Sequence, residues 1–344
     1  MEAFVGRTPR RAACALLLAA AAAAAGGAAA APAASPRVVE VAGVPDDALP
    51  TDVDVRTKRV LLSSPTQGVF ELAPLRASWQ VRRTWRGGRE LPAGVYGEAC
   101  YAAGGVVVAL LGQGVLRLEE TRASRLDAEP GWPARLPLTL LGRSRGGLWV
   151  AFAPLPFGTE SSGGVLLWDR KVVRTVALHD RALATIGRWI EVPERKSVFA
   201  ATPGGVLEIG EDGKLERHSS APVASLARDP RGRAIVAVGS SVTRWDGRRL
   251  VPVLFSLDMP GKRAPMRQGD PIDVAIDGRG CWHLLYAQGL LAVLDRSGRP
   301  AAVLTTEDGI PSTARRLLAV ASTDEVLVGS TTEGLRSVRD ACPR

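Results

Sequence analysis

Histidine is almost missing from this chain: His179, His218 and His283 are the only three in 344 residues. They are too few and too dispersed for a metal triad readable from sequence. Other chemistries lack their marks as well. There is no Gly-x-Ser-x-Gly nucleophile elbow, no phosphate-binding glycine loop and no zinc-ligand spacing. Aromatic residues make up only 5%, and eight of them are Trp. The arginines form no stripe interleaved with aromatics that could track a phosphate backbone, which argues against nucleic acid as a partner. No cofactor is expected.

What is present begins with a leader. Arg7, Arg10 and Arg11 form a positive region, followed by an apolar, mostly alanine run over residues 12–25 and then Gly26-Gly27-Ala28-Ala29-Ala30. This is the layout of a secretory signal with a small-residue cleavage site, so residues 1–34 are expected to be removed and the mature chain to be periplasmic or secreted. The rival is an uncleaved anchor, because the apolar stretch over residues 12–31 is near spanning length, although alanine inserts poorly. Cleavage leaves no stable membrane span. It also lowers the formal net charge from +9 to about +7, a solvated surface with at most weak attraction to anionic polysaccharide or lipid.

Three cysteines then remain, Cys100, Cys281 and Cys342. An odd number in an oxidising compartment leaves at least one unpaired or intermolecular. Cys100 and Cys281 lie inside strand patterns and read as small buried hydrophobes. A disulfide to Cys342 stays open.

From residue 35 on, the chain repeats one unit seven times: apolar strand, turn, strand, then Gly, an apolar residue and an alternating tail. The tails read Gly68-Val-Phe-Glu-Leu, Gly114-Val-Leu-Arg-Leu, Gly164-Val-Leu-Leu-Trp, Gly205-Val-Leu-Glu-Ile, Ser241-Val-Thr-Arg-Trp, Gly289-Leu-Leu-Ala-Val and Gly334-Leu-Arg-Ser-Val. Their starts are 46, 50, 41, 36, 48 and 45 residues apart. A strand-only repeat of that length predicts an all-β, seven-bladed β-propeller of four-stranded antiparallel blades, a single domain over residues 35–344.

In the last blade, Leu317-Leu-Ala-Val-Ala reads as the inner strand, Val326-Leu-Val-Gly329 as the second and Gly334–Val338 as the third. The chain stops before a fourth. Arg37-Val-Val-Glu-Val-Ala42 is therefore expected to fill that place, closing the ring and removing an open edge. Trp149 and Trp282 hold the same place in two second strands and read as core wedges between blades. Asp229-Pro-Arg-Gly232 and Asp277-Gly-Arg-Gly280 read as turns, in which Asp bonds back to its own backbone, rather than as calcium or catalytic groups.

The stretch Glu307-Asp308-Gly309-Ile310-Pro311-Ser312, followed by Val328-Gly329-Ser330-Thr331-Thr332-Glu333-Gly334-Leu335, resembles the two-component regulator propeller repeat. Leu49-Pro50-Thr51-Asp52 and Gly147-Leu-Trp-Val-Ala151 are similar fragments in other blades. The resemblance implies a seven-bladed propeller of the kind that forms the periplasmic sensing part of hybrid histidine kinases. No kinase or receiver accompanies the repeats in this sequence, so it implies a sensing or binding module rather than signalling. Trp168-Asp169 and Trp245-Asp246 superficially match a WD repeat, but its Gly-His is missing.

A binding site on such a ring is expected at its mouth, where the loops from outer to inner strands and from second to third strands open together. Two are long: residues 154–163, carrying Phe157, Thr159 and Glu160, and residues 257–271, carrying Met266, Arg267, Gln268 and Asp270. Shorter loops add Gln113, Tyr286, Gln288, Thr332 and Glu333. The competing view is that these are ordinary solvated insertions. Propeller lyases that cleave streptogramins use a His pair and Mg²⁺ at the mouth; here His179 and His218 belong to outer strands, and His283 reads as packed or satisfied by a backbone carbonyl. The expected function is an exported, non-catalytic module that binds a protein or glycan partner, a scaffold or stand-alone sensor, expected as a monomer. The alternative is a metal-assisted lyase or hydrolase using the mouth.

Overall fold

The computed structural model describes residues 35–342, apart from 77, 103, 129, 131, 133–136, 144–145, 153–162, 170–171, 181–182, 184, 230–234, 240, 254–268 and 321–322. Twenty-eight strands form seven four-stranded antiparallel sheets, a seven-bladed β-propeller. Blade 1 is β2(Leu49–Val53), β3(Val60–Ser64), β4(Gly68–Leu75) and β5(Ser78–Arg86). Blade 2 is β6(Val95–Ala102), β7(Gly105–Leu111), β8(Gly114–Leu118) and β9(Ala123–Arg125). Blade 3 is β10(Pro137–Gly142), β11(Leu148–Phe152), β12(Gly163–Asp169) and β13(Val172–Asp180). Blade 4 is β14(Trp189–Val192), β15(Ser197–Thr202), β16(Gly205–Gly210) and β17(Leu215–Arg217). Blade 5 is β18(Val223–Arg228), β19(Ile235–Gly239), β20(Val242–Trp245) and β21(Leu250–Pro252). Blade 6 is β22(Pro271–Ile276), β23(Trp282–Tyr286), β24(Leu290–Leu294) and β25(Pro300–Leu304).

Blade 7 is composite. Its strands β26(Ala314–Ala319), β27(Val326–Ser330) and β28(Leu335–Arg339) take β1(Arg37–Glu40) as their fourth. The pairing runs Arg37 to Arg339, Val38 to Val338, Val39 to Ser337 and Glu40 to Arg336. The expected closure by the segment beginning at Arg37 is present.

The core is not one cluster but seven, one per blade interface. Cys100, Val107 and Leu126 of blade 2 pack on Leu140, Val150 and Trp168 of blade 3. Val60, Leu62 and Phe70 of blade 1 pack on Leu318, Leu327 and Leu335 of blade 7. That last cluster closes the circle. The second strands β3, β11, β15, β19, β23 and β27 are buried at every residue, because a neighbouring blade covers each face. Trp149 and Trp282 are among the largest fully buried side chains, as their blade-wedge reading requires.

Glycine at the head of the third strand has a steric cause. Gly68 and Gly205 have φ of +120° and +108°, and a Cβ would collide with the carbonyl oxygens of Trp85 and Ser219. Only a residue without a side chain lets the outer part of the blade approach there.

The cysteines correct the sequence reading. Cys281, expected as a buried hydrophobe, is disulfide-bonded to Cys342, while Cys100 is free and buried. The bond ties the head of β23 in blade 6 to the tail beyond β28. Cys281 and Cys342 lie in the apolar cluster shared by blades 6 and 7, and Arg279 Nη1 donates to the Cys342 carbonyl at 3.1 Å.

Candidate functional site

The inner strands carry a shared irregularity. In six blades the pairing of first to second strand slips, between Pro50 and Asp52, Tyr96 and Ala99, Pro137 and Thr139, Val223 and Ser225, Pro271 and Asp273, and Ala314 and Arg316. A bulge places two residues opposite one and re-aims the side chains beside it. Here polar residues at or beside these bulges, with Arg188 just ahead of β14 in the blade that has none, converge on the ring axis. Thr51, Glu98, Thr139, Arg188, Ser225, Asp273, Arg315 and Arg316 line one cavity of about 420 Å³. Leu49, Tyr96, Leu111, Ile186 and Ile272 supply its apolar wall.

Inside this channel, charges from distant blades meet. Arg188 Nη1 lies 3.0 Å from both oxygens of Asp273 and 2.7 Å from the Leu317 carbonyl. Asp273 also accepts the N–H of Leu317 at 2.6 Å, the N–H of Val274 at 2.9 Å and the Ser225 hydroxyl. Arg316 Nη2 donates to Glu98 Oε1 at 2.8 Å, and the Thr139 hydroxyl donates to Glu98 Oε2. Each carboxylate thus has both oxygens engaged, so burying it does not leave an uncompensated charge.

Asp52 sits beside this network without a cation among the described residues. It accepts the N–H of Tyr101 at 2.8 Å and of Val53 at 2.8 Å. Burial pushes its carboxyl up to about 6, against the pull of those two hydrogen bonds.

The residues expected at the mouth fare differently. Phe157, Thr159, Glu160, Met266, Arg267 and Gln268 lie outside the described residues. Asp270 is exposed immediately before β22. Tyr286 ends β23 and is buried, which pushes its phenol up to about 12, with the Asp270 carboxylate adding to the shift. Gln288 occupies the β23–β24 turn with φ +64°. In blade 7, Glu333 accepts the Ser312 hydroxyl at 2.5 Å and the Thr313 N–H at 3.0 Å, which hold its carboxyl below the usual range. Thr332 shares a 2.8 Å hydrogen bond with Thr313. Gln113 donates to the Ala93 carbonyl at 3.1 Å. Thr332, Glu333 and Gln113 therefore bind loop to loop. Of the described mouth residues, Gln113, Asp270, Tyr286, Gln288, Thr332 and Glu333, none is among the groups lining the central cavity.

His218 and His283 are also not among the residues lining the channel. His283, expected to be packed or satisfied by a backbone carbonyl, is fully buried and lies 3.1 Å from the Asp277 carboxylate. Asp277 also accepts the N–H groups of Arg279 and Cys281 at 2.9 Å, the turn role expected of it. His218 lies 2.7 Å from Glu208, packed against Phe199 and Trp245. The side chain of His179, in β13, lies outside the described residues.

Two groups of side chains approach metal-ligand spacing: Glu208, Glu216 and His218, and Asp277, Cys281 and Cys342. In the first, Glu208 already accepts Arg195 at 2.8 and 2.9 Å and Ser197 at 2.7 Å. In the second, both thiols are spent in the disulfide. Neither set suits a cation.

No protein-family model matches the chain, and no curated protein matches its sequence. Solved structures do share its architecture. A streptogramin B lyase superposes with a TM-score of 0.59 at 10% identity, covering 89% of this chain and 97% of that one. YCF48 bound to a D1 peptide gives 0.62 at 12% identity over 88% and 96%. The computationally designed protein Ika8 gives 0.58 at 14% identity over 88% and 99%. At such identities the likeness shows the propeller and nothing finer. Among the described residues, no helix is long and apolar enough to cross a membrane.

The channel was missed by sequence reasoning. Starting the last inner strand at Leu317 left Arg315 and Arg316 in the preceding turn, whereas β26 begins at Ala314. One signal was available: Pro50-Thr51-Asp52-Val53 and Pro271-Ile272-Asp273-Val274 share a Pro-x-Asp-Val pattern at the same place in blades 1 and 6.

Proposed function

We propose that this chain is an exported, non-catalytic binding module whose ligand enters the central channel from its mouth. The observation carrying this is that Glu98 and Asp273, the acids lining the channel, are each saturated by cations, hydroxyls or backbone N–H groups. A general acid or base needs a proton-accepting oxygen within reach of substrate. Here those oxygens are committed to holding blades together. No histidine lines the cavity among the described residues, which disfavours a lyase or hydrolase built on a His pair and metal.

Export is supported by the signal-like residues 1–34 and by the Cys281–Cys342 disulfide, a bond that persists in oxidising compartments. The degenerate two-component regulator propeller repeat supports a stand-alone periplasmic or secreted sensor or scaffold, monomeric, with a protein or glycan partner. Among the solved propellers of similar fold are both a lyase and a peptide-bound protein.

The test is to compare the wild-type protein with Ala224→Trp, since Ala224 is exposed on the cavity wall and a bulky side chain there would plug the channel. Native mass spectrometry of protein purified from its own cells should show a co-purifying ligand in the wild type only. Turnover of a glycan or lactone panel, lost on changing Asp270 or His283, would reverse the reading.

A further inference from the structure

The acceptors of the channel are spent, whereas its donors are not. Arg188 commits only Nη1, and Arg316 only Nη2. The Nε and second terminal nitrogen of each have no partner among the described residues, although a guanidinium offers five N–H donors. Arg315, the extra residue of the β26 bulge, is exposed on the cavity wall. Among the described residues its side chain has neither a hydrogen-bond nor an ion-pair partner. Three guanidiniums thus face two carboxylates, Glu98 and Asp273, in a space enclosed by low-dielectric walls.

The rim adds an apolar element. Leu111, 39% exposed, lines the cavity, and Val95, 52% exposed, stands directly opposite it in the pairing of β6 with β7. Two large aliphatic side chains left wet side by side mark a contact surface rather than a core.

Resting on the binding-module reading, we propose that the channel mouth binds an anionic group, such as a carboxylate, carried on a short apolar stem. Arg315 anchors the anion, the open nitrogens of Arg188 and Arg316 offer further donors, and the stem lies on Leu111 and Val95. A cationic ligand would have to displace Arg188 from Asp273 to find an acceptor. A neutral one would leave the excess charge unanswered. Charge-assisted hydrogen bonds from arginine to a carboxylate or phosphate are the strongest this set of side chains can make.

Ligand-observed NMR titrations with hexanoate, hexyl phosphate, hexanamide and hexylammonium test this. Hexanoate should bind, hexanamide at least tenfold more weakly, and hexylammonium not at all. Arg315→Gln should weaken hexanoate at least tenfold without altering thermal unfolding, whereas Arg248→Gln, on an exposed turn of blade 5, should leave it unchanged. Leu111→Ser should weaken hexanoate more than acetate. Tighter binding of hexyl phosphate with the same dependence on Arg315 would keep the anion site and assign its natural ligand to phosphate esters. The proposal is overturned if hexanamide matches hexanoate, if Arg315→Gln has no effect, or if hexanoate does not bind. Equal binding of hexanoate and hexanamide, both abolished by Ala224→Trp, would sink the anion assignment while sparing the binding module.

Discussion

Asp52 and Asp273 occupy the same position in blades 1 and 6, and both accept the backbone N–H of the next inner strand, Tyr101 in one case and Leu317 in the other. Each also accepts the N–H of the residue that follows it. They differ in their other partners: Asp273 also faces Arg188 and the Ser225 hydroxyl, whereas Asp52 has no cation among the described residues. One contact thus staples blade 1 to blade 2 and blade 6 to blade 7 with opposite electrostatic consequences.

Stability should therefore depend on pH through Asp52. Its folded carboxyl titrates near 6 against 3.8 for an ordinary aspartate. Between those values the folded protein holds a proton that the unfolded chain releases. The contribution is fully present below about pH 4 and is lost as pH rises through 6, amounting to at most about 3 kcal/mol. Urea unfolding from pH 4 to pH 7 should show this slope in the wild type and a flatter one in Asp52→Asn.

Asp273→Ala should be far more damaging than an average core change, because it strands the Arg188 guanidinium and the Leu317 N–H. A loss of about 3–5 kcal/mol is expected. Arg188→Met in the same molecule should recover part of it, so a double-mutant cycle by denaturant unfolding should be non-additive.

Cys281→Ser and Cys342→Ser should each lower stability by about 2–4 kcal/mol, since the bond closes a loop spanning 61 residues. Reductant should reproduce the loss in the wild type and add nothing to either variant. Cys100→Ala, at a buried free thiol outside that bond, should keep the wild type's sensitivity to reductant.

Deleting residues 35–42 should remove the fourth strand of blade 7 and expose β28 as an edge. Size-exclusion chromatography should then show oligomers or aggregate where the full-length protein elutes as a single species. The deletion also loses the Arg336–Glu40 pair at 3.5 Å and the Val41 N–H bond to Leu335 at 3.0 Å.

The blades were legible because six of the seven third strands announce themselves with glycine and an alternating tail, Ser241 standing in for it in the fifth, and the steric demand at Gly68 and Gly205 gives that signal a cause. The channel was not legible because a bulge breaks the period of two on which strand reading depends. Arg315 and Arg316 sit on such a bulge, so an apolar-run criterion passes over them. The disulfide was equally hidden, because nothing local to Cys281 or Cys342 reveals a partner so far away in sequence. Tyr286 and Glu333 were expected on mouth loops; Tyr286 is the buried last residue of β23, Glu333 is taken up by Ser312 and Thr313, and neither lines the cavity.

Pairing Arg37–Glu40 with Leu335–Arg339 joins nearly the earliest and latest residues of the domain. A growing polypeptide cannot assemble blade 7 until Arg339 has been made. Six blades must wait as an incomplete arc, so the final zipping is a slow, long-range event and a natural point for quality control.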